Sequence, residues 1–251
     1  MALRVGVLGA KGHMGREVCK AVNATEDLDL VAEIDLGDSI DSLKSNMVDV
    51  VVDFTNPESV MANLKFAIEN DIHAVVGTSG FDKNMIDTLR SLLSTHPKVG
   101  VLVAPNFGLG AVLMMQFAAT TARYFESVEI IELHHPEKLD APSGTAIRTA
   151  ELINEARNKE LFGAMPDKTV KALDGARGAK VGSVPIHSVR LSGLVAHQEV
   201  LFGAGGETLT LRHDSFDRSA FMPGVLVGIR EVVRNPGLTV GLENYLKLGK
   251  E

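Results

Sequence analysis

Residues 4–15 read RVGVLGAKGHMG, an apolar run followed by three glycines spaced three residues apart. Arg4–Leu8 has the apolar composition of a buried strand, and a helical pattern runs from His13 to about Ala24. Such glycines allow the backbone to turn sharply and approach a pyrophosphate, whose charge is stabilised by the helix N-terminus. The stretch therefore predicts a dinucleotide-binding turn, although its G-x-x-G-x-x-G spacing departs from the usual G-x-G-x-x-G.

An acidic residue at the end of the second predicted strand bears on the identity of the dinucleotide. Asp35 follows the strand Leu28–Ile34 and lies twenty residues after Gly15. A carboxylate at this position can accept hydrogen bonds from the adenosine ribose, and it would repel the 2′-phosphate of NADP. We therefore expect NADH or NADPH as the cofactor, with NADH slightly preferred, since Lys11 and His13 could compensate the negative charge.

The rest of the first half repeats the alternation of strand and helix. Further apolar strands are predicted at Asp49–Phe54, Ile72–Val76 and Val99–Val103, with helical patterns between them. This alternation is typical of βαβ crossovers and predicts an α/β fold with a Rossmann-type, doubly wound parallel sheet. A turn follows each strand at the carboxyl edge of the sheet, where ligands of such folds bind. These turns read Asp53-Phe54-Thr55, Gly77-Thr78-Ser79-Gly80 and Ala104-Pro105-Asn106-Phe107.

The second half of the chain has a different pattern. Helices are predicted at 109–124, at about 143–158 and at 218–234, a strand at 128–133, a long loop at 159–183, and strands with hairpin spacing at 186–191, 196–202 and 207–213. Consecutive hairpins imply antiparallel pairing. We therefore predict a dinucleotide-binding domain at 1–107, on which 217–251 packs back, and an α+β substrate-binding domain at 108–216 with a mixed, largely antiparallel sheet.

The bulk composition argues against several classes of protein. The 251 residues carry a formal net charge of −7 and no run of Lys or Arg, which disfavours binding to nucleic acid. Cys19 is the only cysteine, so neither an intramolecular disulfide nor a cysteine zinc site can form. The sequence shows neither a signal-peptide pattern nor an apolar stretch long enough to span a bilayer. We therefore expect a cytoplasmic protein that does not cross a membrane.

The most informative segment is the polar cluster at 132–146, which reads ELHHPEKLDAPSGTA. His134 can transfer a proton near neutral pH, and Lys138 supplies a compact positive charge for a carboxylate. The backbone N–H groups of Ser143-Gly144-Thr145 stand at a predicted helix start and form a second anion site. The cluster therefore predicts a pocket for an anionic substrate that needs a proton during the reaction.

The stretch His134–Ala146 resembles the dihydrodipicolinate reductase family. The turns at Gly9–Gly15, Gly77–Gly80 and Ala104–Phe107 share this resemblance. The resemblance covers essentially the whole chain and is closest to the shorter, actinobacterial type. It implies reduction of 4-hydroxy-tetrahydrodipicolinate, a small cyclic dicarboxylate, to tetrahydrodipicolinate by hydride transfer from NAD(P)H, with loss of water, in the diaminopimelate route to L-lysine. It also implies a homotetramer that associates through the sheet at 186–213, within the second domain.

The resemblance further implies roles for individual residues. His134 would donate or accept a proton, Lys138 would be a cationic proton donor, and the substrate would be bound by His135, Ser143, Gly144 and Thr145. The cofactor would be bound by Gly9, Ala10, Lys11, Gly12, His13, Met14, Asp35, Gly77, Thr78, Ser79, Ala104, Pro105, Asn106 and Phe107. Two departures are Ser79, where the family often has Thr, and His13, where some relatives carry a basic residue.

Three alternatives remain open at this point. His135, Glu137 and Asp140 could bind a metal, although the adjacent Lys138 and Pro136 disfavour this, and we expect no metal. A semialdehyde dehydrogenase of similar plan would need a nucleophilic cysteine in its second domain, which this chain lacks. A protein that only senses NAD(H) would need the glycine turn but not the polar cluster, so the cluster favours an enzyme.

Overall fold

The computed structural model describes residues 2–78, 80–157, 164–246 and 248. The chain divides into two compact units: unit 1 is Met1–Leu109 with Arg218–Glu251, and unit 2 is Gly110–Asp217. Each unit has its own cluster of buried apolar side chains. Within the described part of the chain, no helix has both the length and the apolar character needed to traverse a bilayer.

Unit 1 is built on a six-stranded sheet. Its elements are β1 (Leu3–Leu8), α1 (His13–Asn23), β2 (Leu28–Ile34), α2 (Ser42–Ser45), β3 (Val50–Asp53), α3 (Val60–Glu69), β4 (His73–Val76), α4 (Lys83–Ser94) and β5 (Gly100–Val103). Unit 2 contributes α5 (Leu109–Thr121, which begins in unit 1), β6 (Ser127–His134), α6 (Gly144–Ala156), β7 (Ala179–Val181), β8 (Val184–Arg190), β9 (Ala196–Ala204) and β10 (Glu207–Ser215). Unit 1 ends with a 3-10 turn at Arg218–Phe221, α7 (Met222–Val232), β11 (Gly237–Val240) and a 3-10 turn at Leu242–Tyr245.

All strand pairs in the sheet of unit 1 are parallel, and the strand order is β11-β5-β4-β3-β1-β2. The Rossmann-type parallel sheet predicted from the sequence is therefore confirmed. The strand β11 is an addition that we did not predict. It is a four-residue edge strand with half-exposed side chains, so it leaves no apolar run in the sequence.

The strands of unit 1 end in line with one another. Leu8 pairs with both Ile34 and Asp53, Asp53 pairs with Val76, and Val76 pairs with Val103. The turns after these strands therefore leave the sheet along one edge. The strand order also reverses direction between β1 and β3, which is the position where sheets of this type bind ligands.

Glycines bring the final helix into backbone contact with the sheet. A Cβ atom at Gly100 would lie 2.1 Å from the carbonyl oxygen of Val232 and 2.8 Å from that of Asn235. A Cβ atom at Gly224 in α7 would lie 2.0 Å from the carbonyl oxygen of Phe107. Helix α7 therefore packs against β5 at distances that no side chain larger than hydrogen allows.

The sheet of unit 2 is mixed, with strand order β10-β9-β6-β8-β7. The pairs β9–β10, β6–β9 and β7–β8 are antiparallel and β6–β8 is parallel, which confirms the mixed, largely antiparallel sheet. The hairpin expected between β8 and β9 is wrong, because β6 lies between them. The prediction of a long loop at 159–183 is also wrong in part, since Ala179–Val181 forms strand β7. A strand of three residues is too short to produce a periodic pattern in the sequence. Residues 159–163 of that loop lie outside the described residues.

Alternation along β6 determines which of its side chains enter the core of unit 2. Val128, Ile130 and Glu132 are buried, while the residues between them are partly exposed. Val128 and Ile130 pack with apolar side chains of α5 and α6, including Ala118 and Ile153. Glu132 therefore occupies a core position on the strand although its side chain is charged.

We expect Gly100→Ala to lower the free energy of unfolding by about 1–3 kcal/mol, because overpacking against two backbone carbonyls forces β5 and α7 apart. Urea unfolding followed by circular dichroism measures the change. Gly205→Ala is the matched control, since a Cβ atom there meets nothing within 4 Å. Equal unfolding midpoints for the two variants would contradict the packing argument.

Candidate active site

The polar cluster joins the end of β6 to the start of α6 in unit 2. Glu132 and His134 are two residues apart on β6 and therefore project to the same side of the strand. The buried Ser143 is the N-cap of α6, and its hydroxyl accepts a hydrogen bond from the backbone N–H of Ala146 at 3.2 Å. The imidazole of His134 and the N-terminus of α6 therefore lie on the same short stretch of chain.

A fully buried carboxylate organises this segment. Glu132 is 0% exposed, and its Oε2 atom lies 2.6 Å from Nδ1 of His134. The guanidinium of Arg190 donates to both carboxylate oxygens at 2.8 Å, and the backbone N–H of Ser143 donates to Oε1 at 3.2 Å. A buried charge requires such compensation, and here one cation and two further donors supply it.

Several groups act on the pKa of His134. Burial lowers the pKa of this imidazole most strongly, whereas the adjacent Glu132 carboxylate raises it. The positive charges of Lys138 and Arg190 lower the pKa further, and the net result is a pKa below the usual value of 6.5. In the absence of a ligand, His134 is therefore readily deprotonated near neutral pH.

Lys138 is held by a neighbouring carboxylate. Its Nζ atom donates to Oδ1 of Asp140 at 2.6 Å, and this hydrogen bond lowers the pKa of Asp140. The guanidinium of Arg190 also donates to the backbone oxygen of Asp140 at 2.7 Å. The turn that carries Lys138 is therefore fixed to the Glu132–Arg190 pair.

The other residues expected to bind substrate differ in accessibility. His135 and Gly144 are exposed, and Thr145 is half-buried. Ser143 is buried and its hydroxyl caps α6, so its side chain stabilises the N-terminus of this helix. Among the described residues no group of three or more His, Cys, Asp or Glu side chains could hold a metal ion.

The glycine turn of unit 1 fits a pyrophosphate. Gly9 has a φ of 76°, and a Cβ atom there would lie 2.8 Å from the carbonyl oxygen of Phe54. A Cβ atom at Gly15 would lie 2.0 Å from the carbonyl oxygen of Gly9. Gly12 is the N-cap of α1 and has no side chain that could occupy the helix N-terminus. Lys11, Gly12 and His13 are exposed on this turn, Met14 is half-buried, and Ala10 is buried.

Asp35 carries its charge at the end of β2. Its Oδ1 atom accepts from the backbone N–H of Leu36 at 2.8 Å, and Oδ2 accepts from that of Lys11 at 2.7 Å. These two hydrogen bonds lower the pKa of Asp35. The side chain of Lys11 lies 3.7 Å from a carboxylate oxygen of Asp38. The structure therefore joins the carboxylate of Asp35 to the backbone of the glycine turn.

The sequence did not single out Asp53 and Phe54 as individual site residues. Oδ1 of the buried Asp53 accepts from the Thr55 N–H at 2.8 Å, the Thr55 hydroxyl at 2.6 Å and the Thr78 hydroxyl at 3.1 Å. Oδ2 accepts from the Asn63 side chain at 2.9 Å. This carboxylate therefore ties the turn after β3 to the turn after β4.

The ring of Phe54 joins the remaining turns of unit 1. A Cβ atom at Gly77 would lie 2.0 Å from this ring, and the ring of Phe107 has its centroid 5.8 Å away. Ala104 and Phe107 are buried, Pro105 is exposed, and Asn106 accepts from the Gly108 N–H at 2.8 Å. Ser79 lies outside the described residues. The structure therefore groups the other predicted turn residues at one edge of the sheet.

Glu132 and Arg190 are the polar-cluster partners that sequence reasoning missed. Glu132 gave a weak signal, since it stands two residues before His134 on a predicted strand. Arg190 gave none, because it lies 58 residues from Glu132 in sequence. The parallel pairing of β6 with β8 places Arg190 directly opposite His134.

We expect Lys138→Met to raise the pKa of His134, because the positive charge that favours the neutral imidazole is removed. NMR titration of the histidine resonances measures this shift, and the wild-type value is expected below 6.5. Lys180→Met, which removes an equal charge from β7, serves as the control. An unchanged His134 titration in Lys138→Met would contradict the proposed proximity of the two charges.

Comparison with known proteins covers both units. The family described as "Dihydrodipicolinate reductase, N-terminus" matches residues 3–107, and "Dihydrodipicolinate reductase, C-terminus" matches residues 110–246. The 4-hydroxy-tetrahydrodipicolinate reductase of Nocardia farcinica is 62% identical over 99% of this chain and 100% of its own length. That of Corynebacterium efficiens is 58% identical over the same shares.

A solved structure extends this similarity to three dimensions. The dipicolinate-bound dihydrodipicolinate reductase from Paenisporosarcina sp. TG-14 is 40% identical, with a TM-score of 0.89, and covers 98% of this chain and 100% of its own. The similarity therefore spans both units rather than the dinucleotide fold alone. The chain belongs to the dihydrodipicolinate reductase family of nicotinamide-dependent oxidoreductases.

Proposed function

We propose that this chain reduces 4-hydroxy-tetrahydrodipicolinate to tetrahydrodipicolinate with NAD(P)H, in the diaminopimelate route to L-lysine. The observation that carries the proposal is the arrangement at the end of β6. An imidazole held by a buried carboxylate, an ammonium group and a helix N-terminus stand on one short segment of unit 2. Such a segment can bind a small dicarboxylate and exchange a proton with it.

The nicotinamide cofactor is assigned to unit 1. The turn at 9–14 would hold the pyrophosphate, Asp35 the adenosine ribose, and the turns at 77–79 and 104–107 the remainder. When bound, the reduced nicotinamide supplies the hydride. The negative charge of Asp35 favours NADH over NADPH, because it would repel a 2′-phosphate. Its two oxygens accept hydrogen bonds from backbone N–H groups, while the charges of Lys11 and Arg16 act on it from a greater distance.

The substrate dicarboxylate is assigned to unit 2. Lys138, His135 and the N–H groups of Gly144 and Thr145 would bind its carboxylates, and His134 would deliver the proton that the reduction requires. A dianion beside His134 favours the protonated imidazole, since opposite charges stabilise each other. Substrate binding would therefore raise the low pKa of His134 and load the proton donor.

Two other functions fit the described residues less well. Burial raises the pKa of Cys19 to about 12, so this thiol is no nucleophile for a semialdehyde dehydrogenase. A protein that only senses NAD(H) has no need for a buried carboxylate that organises a histidine, an arginine and a helix N-terminus. The contacts of Glu132 therefore favour an enzyme.

The assembly and location expected from the sequence stay predictions. The sheet of unit 2 has one face of alternating buried residues on β6 and β9, while the apolar Ile131 and Leu201 on the intervening positions are only partly exposed. We propose that this second face is where four copies associate. Light scattering on the purified chain measures its mass in solution, which a homotetramer requires to be four times that of one chain. We also propose that the reaction takes place in the cytoplasm.

The function is tested by a coupled assay. A purified synthase makes the substrate from pyruvate and aspartate semialdehyde, and the absorbance of the reduced cofactor is followed with NADH and NADPH in turn. We expect loss of absorbance that depends on both this chain and the synthase, and a higher kcat/KM with NADH. If the chain binds NADH but no absorbance is lost with either cofactor, the NAD(H) sensor replaces the enzyme.

We expect His134→Ala and Lys138→Ala each to lower kcat by about 10²-fold or more, because general acid catalysis and charge pairing are removed. The Kd for NADH, measured by fluorescence, should stay within about twofold, since neither residue lies in unit 1. His96→Ala and Lys180→Ala are the matched controls and should retain full turnover. Undiminished turnover in His134→Ala would remove His134 from the site.

A further inference from the structure

We propose that Glu132 is the positioning residue of this active site: it fixes the tautomer of His134 so that Nε2 is the atom that takes up and delivers the proton. The inference rests on the proposed function, because it assigns that reaction's proton to one atom.

The tautomer follows from the contacts of Glu132. An ionised carboxylate has no hydrogen to donate, so it can only accept hydrogen bonds. Arg190 donates to both of its oxygens at 2.8 Å, and Ser143 donates its backbone N–H to Oε1 at 3.2 Å. Nδ1 of His134, 2.6 Å from Oε2, must then carry a hydrogen and donate it.

The charge on Glu132 is maintained in spite of its burial. Burial by itself raises the pKa of this carboxyl group, but hydrogen bonds from Arg190, Ser188 and His134 lower it by more. The net pKa lies below the usual value, so Glu132 is ionised near neutral pH. Arg190 therefore acts on His134 through Glu132, by keeping the acceptor of the Nδ1 hydrogen bond charged.

This arrangement leaves Nε2 as the reactive atom. Within the described part of the chain, no hydrogen bond involves Nε2 of His134. In the neutral ring Nε2 has a lone pair, and it gains a proton from solvent when the imidazolium forms. During the reduction the hydroxyl group of the substrate leaves as water together with a hydrogen from the neighbouring ring carbon, and the unsaturated ring that results receives the hydride. The Nε2–H bond then breaks, and its proton forms the new bond to the reduced, anionic ring. His134 returns to its neutral form, and solvent water replaces the proton.

Glu132 also fixes the distance between the proton donor and the substrate carboxylate site. Its Oε1 atom accepts from Ser143, the residue that caps α6, while Oε2 accepts from His134. One rigid carboxylate therefore connects the end of β6 to the helix N-terminus that is assigned to the substrate carboxylate. A small displacement of either group would misalign the proton with the bound ring.

A second carboxylate on β6 provides a matched control. Glu129 also contacts a histidine and an arginine: Nε2 of His187 lies 2.7 Å from its Oε2 atom, and Arg177 donates to its Oε1 atom. Glu129 is 37% exposed, whereas the side chain of Glu132 is 0% exposed. The two sites thus share their chemistry, but only one of them is connected to His134 and α6.

The first measurement uses the unmodified protein. Long-range ¹H–¹⁵N correlation spectra of histidine-labelled protein distinguish the two neutral tautomers, and His134→Gln identifies the His134 signals by their loss. We expect neutral His134 to carry its hydrogen on Nδ1. A predominant Nε2–H tautomer in the active wild-type protein would overturn the inference, whatever any variant does.

The second measurement uses Glu132→Gln in the coupled assay. We expect kcat to fall about 10- to 100-fold, as part of the contribution of general acid catalysis is lost, while the KM for NADH is unchanged. The limb of the kcat/KM profile that reports loss of the imidazolium as pH rises should move to lower pH, because the carboxylate charge that raises the pKa of His134 is gone. The charges of Lys138 and Arg190, which lower this pKa, remain.

The results of these experiments distinguish the role of Glu132 from the proposed reductase reaction. Glu129→Gln should leave the kcat and the pH profile unchanged. An unaltered kcat and pH profile in a folded Glu132→Gln protein would overturn the role of Glu132 while leaving the reductase intact. Absence of turnover in the wild-type protein would instead refute the proposed reaction, and the tautomer of His134 would still be measured independently.

Discussion

The buried ion pair between Glu132 and Arg190 is the interaction on which unit 2 depends. A carboxylate at a core position of a strand is costly unless every lone pair is satisfied, and here a guanidinium, an imidazole and a backbone N–H satisfy it. Those donors come from β6, β8 and the N-cap of α6. Satisfying one charge therefore requires three elements to meet at one point, and that point carries the groups that we propose transfer the proton and bind the anionic substrate.

In unit 1 a buried carboxylate likewise joins separate elements, at the edge of the parallel sheet. Because the parallel strands end in register, the turns that follow them lie along one edge of the sheet. Buried Asp53 and the ring of Phe54 then link neighbouring turns. Glycines at 9, 15 and 77 are needed because backbone or aromatic atoms occupy the space of a Cβ atom. These contacts restrict the conformations that the turns can adopt, and such preorganisation reduces the entropic cost of binding a ligand.

Sequence reasoning succeeded where the signal is local. The strand and glycine pattern of residues 4–15 predicted the parallel sheet, and the polar cluster at 132–146 identified the segment that the structure organises around Glu132. It failed where pairing is long-range. The strand β8 has the spacing of a hairpin partner for β9, yet it pairs in parallel with β6, because the chain crosses over through α6 between these two strands. The short strands β7 and β11 carry too few residues for any periodicity.

The amino-acid sequence by itself determined the fold class, the glycine turn after β1, the acid at the end of β2, and the positions of the histidine and lysine of the polar cluster. All of these depend on residues close together in the chain, whose spacing matches the period of a helix or a strand. Only the tertiary structure decided that Arg190 stands opposite His134, that Glu132 is ionised although it is buried, and that Nδ1 rather than Nε2 is held. The reason is physical: burial, charge compensation and strand register arise from contacts between distant residues, and no local pattern records them.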